Sequence, residues 1–192
     1  MRSRTAPILP AVLLLALAHT GAAQSTGAPE TFTANIQALG AKGGAAAGTI
    51  EIDIRRYTPD ADRTAVETAL KTGGYAAFLT ALRKAPEVGS VSMADKKWAI
   101  RWAREQPSGK YDRRIVVVTD QPMFFVGGGA ADAKPRAGYE VAVIEMTIDN
   151  VGLGKGTMTA AAKVKPGGDA GVRIDDYAEK PIQLVTVSKK LK

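Results

Sequence analysis

The stretch at residues 49–57, TIEIDIRRY, constrains the fold more than any other: Ile50, Ile52 and Ile54 alternate with Glu51, Asp53 and Arg55. A period of two puts the isoleucines on one face of a strand and the charges on the other. That is the pattern of a half-buried strand in an antiparallel sheet. Strand patterning returns at residues 32–38, 88–93, 113–120, 139–149, 157–164, 172–175 and 182–188. Residues 97–105 have a helix-favouring composition, yet Trp98, Ile100 and Trp102 alternate and a turn-like Gln-Pro-Ser-Gly follows. They read as a strand running into a hairpin. Short turns between successive strands predict an antiparallel meander of about eight strands, curled or closed into a barrel.

The period changes at residue 58. Thr58 suits a helix cap, Pro59 a first helical residue, and Asp60 and Asp62 the first turn. Ala65, Val66, Ala69 and Leu70 form an apolar stripe, and Gly73-Gly74 reads as its stop. Tyr75, Phe78, Leu79 and Leu82 mark a second helix that ends before Pro86. The expectation is an α+β fold: a meander sheet with one helical hairpin inserted after the second strand.

The N-terminus carries Arg2 and Arg4, then an apolar run from Ile8 to Ala18, then Gly21, Ala22 and Ala23. This is the three-part pattern of a secretory signal, with cleavage expected after Ala23. The run is short for a membrane span, which needs about 20 apolar residues. Residues 24–31 read as a flexible lead-in, 32–188 as a single β-rich domain and 189–192 as a basic tail. The expected location is the periplasm or the external medium. Loss of Arg2 and Arg4 takes the formal charge from +7 to +5. That balance favours anionic partners, which in this compartment are envelope polymers or lipid head groups rather than nucleic acid.

The chain has no cysteine, and its one histidine, His19, lies in the segment expected to be removed. Imidazole- or thiol-based nucleophilic catalysis, zinc centres and haem or iron–sulfur attachment therefore lack their side chains in the processed chain. No cofactor, metal site or catalytic residue is assigned. Asp169, Asp175 and Asp176 lack the spacing of a calcium loop. Gly152–Gly156 superficially echoes a phosphate loop but precedes a strand, and so reads as a turn.

Glu145 stands mid-strand in YEVAVIEMTID, where both faces are largely apolar. A carboxylate there is either an acid in a cavity, paired with Arg101 or Arg104, or part of a structural ion pair or a solvent-facing position. Trp98 and Trp102 beside Arg101 and Arg104 suit sugar or anion binding, or a core with cations at its rim. The candidate ligand-binding residues are Glu145, Arg101, Trp102 and Arg104. Three functions stay open: binding of a small apolar or anionic ligand or envelope component, carboxylate/Arg enzyme chemistry centred on Glu145, and adhesion to anionic envelope polymers through Lys97, Arg101, Arg113 and Arg114.

Residues 100–104 (IRWAR), 113–122 (RRIVVVTDQP) and 144–149 (IEMTID) with the following Gly-rich turn resemble a family of exported bacterial α+β proteins of unknown function. The resemblance runs over most of the processed chain. It implies export and a mixed fold, and it lends no catalytic residues.

Overall fold

The computed structural model describes residues 28–39, 45–123, 136–168 and 171–191. The expected signal and most of the loop read at 126–138 lie outside them. In chain order the elements are β1 (Glu30–Leu39), β2 (Ala45–Ile54), α1 (Asp60–Lys84), β3 (Gly89–Met93), β4 (Lys96–Ser108), β5 (Asp112–Thr119), β6 (Val141–Ile148), β7 (Leu153–Pro166), β8 (Val172–Tyr177) and β9 (Ile182–Lys189). Every pairing is antiparallel. Strands β6, β5, β4, β3, β2, β1, β9 and β7 are neighbours in that order, and β7 returns to pair with β6. The alternating segments therefore close into an eight-stranded barrel, with β8 as a ninth strand hairpinned onto the far end of β7.

Period-two alternation decides what fills the barrel. Phe32, Ala34 and Ile36 of β1, Ile50, Ile52 and Ile54 of β2, and Ala142, Ile144, Met146 and Ile148 of β6 all point inward and are buried. Residues of opposite parity face out. On β6 the outward Val141 and Val143 are also buried, because α1 covers them. A strand apolar on both faces thus reflects a covered sheet.

α1 packs Val66, Leu70, Phe78, Leu79 and Leu82 against Trp102, Val116, Val118, Val141, Val143 and Val164. The expected hairpin of two separate helices is corrected to one helical element. The chain stays helical on both sides of the diglycine, and Gly74 alone leaves the helical region, at φ 69° and ψ −164°. A straight helix of this length would span about 37 Å. Yet Thr58 N–H donates to the Ala103 carbonyl at 2.9 Å and Arg101 Nη1 donates to the Ala85 carbonyl at 3.2 Å. Both ends of the element therefore meet β4, so it bends sharply at Gly74. Thr58 does not cap the helix: Pro59 holds the cap position without a side-chain bond. Thr58 Oγ1 instead accepts from Ala103 N–H at 2.8 Å, pairing the stretch of β4 that lies beyond the reach of β3. Among the described residues, no helix is long and apolar enough to cross a membrane.

Candidate functional site

Two charged assemblies sit at one end of the barrel, one inside it and one outside. Inside the mouth, Glu30 is fully buried. Its Oε1 accepts from Arg113 Nη2 at 2.8 Å and Lys189 Nζ at 2.7 Å. Its Oε2 accepts from Arg113 Nη1 at 2.9 Å and Tyr57 Oη at 2.8 Å. Arg113 Nη1 also reaches Glu105 Oε1 at 3.0 Å. Burial pushes the Glu30 carboxyl up, but the bonds from Arg113, Lys189 and Tyr57 outweigh it and hold the group below its ordinary value. Burial, and then the charges of Glu30 and Glu105, push the Tyr57 phenol far up.

This cluster has the composition of an active site. However, all four acceptor positions of the Glu30 carboxylate are taken by protein donors, which leaves none for a substrate. It is a plug that closes the mouth. It also corrects the reading of both chain ends: Glu30 and Thr31, placed in the lead-in, belong to β1. Lys189 and Lys190, placed in the tail, are held by Glu30 and Glu51. Sequence reasoning missed the plug because Glu30 sits in a small, polar stretch with no alternation before it.

The second assembly lies on the outer face, over β5, β6, β7 and β9. A groove of about 570 Å³ is lined by Arg114, Glu145, Thr147, Lys155, Thr157, Gln183 and Val185, with Gly156 in its floor. Strand register builds it as two rows. Arg114 faces Thr147, which faces Lys155. Beside them, Val116 faces Glu145, which faces Thr157, which faces Gln183. Short threonines between longer side chains make the depression. Val116 belongs to the layer beneath α1, so the helix borders one side. A register shift in β9 between Leu184 and Val187 leaves Val185 exposed at the rim.

Glu145 accordingly points outward and is half-buried, with Arg114 Nη2 donating to its Oε1 at 2.8 Å. The expected pairing with Arg101 or Arg104 is corrected. Arg101 is held by Asp120 at 2.8 Å, and Arg104 lies 3.7 Å from Glu67 of α1. Trp102 is fully buried beneath α1 and lines no groove. The cause is a bulge. Between Ile100 and Trp102 the β4–β5 register advances by one partner rather than two. Trp98 and Ile100 therefore face the interior while Trp102 faces the helix. Of the four cations considered for polymer binding, Lys97 is exposed at the start of β4, Arg101 is paired, Arg113 is in the plug and Arg114 is in the groove. They form no common patch.

Among the described residues that line the groove Glu145 is the one acid, and Lys155 bonds to no described residue. Among the described residues, no group of three or more His, Cys, Asp or Glu is placed to hold a metal. No protein-family model, curated protein or solved structure matches this chain.

Proposed function

We propose that this chain is an exported, non-enzymatic domain that binds a small ligand or cell-envelope component in the outer-face groove. The observation that carries the reading is that the polar groups there are only partly consumed by the fold. Lys155 donates to no described residue and Glu145 Oε2 accepts from none, whereas the Glu30 carboxylate inside the mouth is fully engaged. A depression of this volume is within the range that small-molecule sites occupy. Export rests on the signal pattern of residues 1–23 and on the resemblance to exported proteins.

Two measurements test the reading. N-terminal sequencing of chain recovered from its exporting host is expected to begin near Gln24, and an uncleaved cytoplasmic product would overturn the location. Native mass spectrometry of that material is expected to show a bound small-molecule mass. The mass should disappear in Thr157→Trp, whose side chain fills the groove. A mass retained by Thr157→Trp would place binding elsewhere, and its absence from the wild-type chain would remove the support for a resident ligand.

A further inference from the structure

The balance of charge in the groove narrows the ligand, on the premise that the groove is the binding site. Arg114 and Lys155 stand on β5 and β7 with Thr147 of β6 directly between them. Adjacent strands lie about 4.8 Å apart, so the two cation-bearing backbones are about 10 Å apart. Side chains of that length are long enough to reach one anionic group above the threonine. Two cations against the single carboxylate of Glu145 leave one positive charge, which a monoanion neutralises and a dianionic phosphate overshoots.

Glu145 sets the second requirement. Its Oε1 is taken by Arg114, and no described group donates to its Oε2. A carboxylate oxygen is an acceptor only, so the ligand must bring a donor to this point, one strand row away from its anion. Thr157 and Gln183 continue that row with groups that both donate and accept. We infer that the groove takes a carboxylated sugar unit: its carboxylate lies between Arg114 and Lys155, and its hydroxyls lie along Glu145, Thr157 and Gln183.

The test is calorimetry and amide NMR on the processed chain with D-glucuronate, its uncharged methyl ester, glycerol phosphate and glycine as probes. Glucuronate is expected to shift the amides of Glu145, Thr147 and Thr157. Lys155→Gln is expected to weaken it about tenfold, the loss of one charge-assisted contact.

If the methyl ester binds as well as the acid, the charge assignment fails while the groove stays a binding site. Tighter binding of glycerol phosphate would replace the carboxylate with a phosphate. Binding of glycine that Glu145→Gln abolishes would replace the hydroxyl with an ammonium. If glucuronate leaves the groove amides unmoved at millimolar concentration, the inference is lost. The binding reading would then stand or fall on the co-purified mass alone.

Discussion

Glu30 and Arg113, 83 residues apart in sequence, meet in a two-pronged ion pair inside the barrel mouth, with contacts of 2.8 and 2.9 Å. The pair joins the first strand to the fifth across the lumen, and Lys189 adds the last strand. Three strands distant in the chain are thereby tied at one point. Removing one member of a buried pair leaves the other charged and desolvated, which costs about 3–5 kcal/mol. Arg113 keeps Glu105 as a second partner at 3.0 Å. Glu30→Gln is therefore expected to cost about 3 kcal/mol, at the low end of that range. Urea unfolding followed by tryptophan fluorescence measures it. A change below about 1 kcal/mol, the scale of an exposed pair, would show that the plug does not hold the barrel closed.

The same pair gives stability a pH dependence of known sign. Glu30 titrates below its ordinary 4.5 in the folded chain. A depressed carboxylate contributes stability that is fully present above its unfolded pKa and is lost as pH falls through the folded one. Stability is therefore expected to hold from neutrality down to about pH 5 as far as this group is concerned, then fall, by at most about 1.4 kcal/mol per pH unit for one proton. Glu30→Gln lacks this component, so its deficit against the wild type should shrink below pH 4.5. Asp175 and Asp176 are also depressed, by Lys165 and Tyr139 respectively, and they lie at the surface. They remain in both chains and cancel in the comparison. A deficit that stayed constant with pH would mean that Glu30 titrates alike folded and unfolded.

Glycines in β7 set the seam beneath the groove. A Cβ on Gly156 would lie 2.2 Å from the Glu145 carbonyl, and one on Gly154 would lie 2.0 Å from that of Thr147. Both obstacles are backbone in the paired strand, which moves only if the ladder opens. Gly156→Ala is expected to cost about 2–3 kcal/mol, as overpacked sites do. It should also displace Glu145 relative to Arg114. Denaturant midpoints give the first quantity, and amide shifts confined to residues 143–147 and 154–158 give the second. An unperturbed spectrum would show that the strands have slack the close approach does not suggest.

How far the sequence disclosed this molecule depends on the range of each interaction. Alternation is local, and it correctly turned Ile50, Ile52 and Ile54 to one side and Glu51 and Asp53 to the other. It also located every strand of the barrel, although Leu153–Gly156, which reads as a turn, is the paired start of β7. It misled at Trp102, because one bulged residue reverses every later side chain on β4 and leaves no mark in composition. The partner of Glu145 was illegible for a different reason. Arg114 reaches it through the β5–β6 register, and register is knowable only when strand order is. Glu30 gave no signal at all, since its burial depends on donors from Tyr57, Arg113 and Lys189, which are scattered along the chain. The diglycine has the composition of a stop and forms a bend instead, because α1 packs against the barrel on both sides of Gly74.

That bend supplies a further expectation. Gly74 sits at φ 69° and ψ −164°, a region that is essentially closed to side-chain-bearing residues and costs about 1–3 kcal/mol to enter. A Cβ there would meet no described atom within 4 Å, so the cost is conformational. Gly74→Ala is expected to lose that amount in thermal or urea unfolding while helical circular dichroism stays near the wild-type value. A variant as stable as the parent would mean that α1 reaches β4 at both ends by another path.

Trp102 tests how α1 is held. Its ring is fully buried among α1, β5 and β6, while its Nε1–H has no hydrogen-bond partner among the described residues. Packing and polarity therefore oppose each other within one side chain. Trp102→Ala removes the whole ring and is expected to cost about 3–5 kcal/mol. Trp102→Phe forfeits part of the contact area but also removes a buried donor whose desolvation costs about 1–3 kcal/mol. In the phenylalanine variant the lost contact and the removed buried donor offset each other in part, so it is expected to lie within about 1.5 kcal/mol of the wild type. Unfolding curves read by far-ultraviolet circular dichroism compare the two without depending on the tryptophan itself. If the two variants were equally damaged, the indole N–H would be satisfied in solution, and the ring's orientation beneath the helix would differ from the one described.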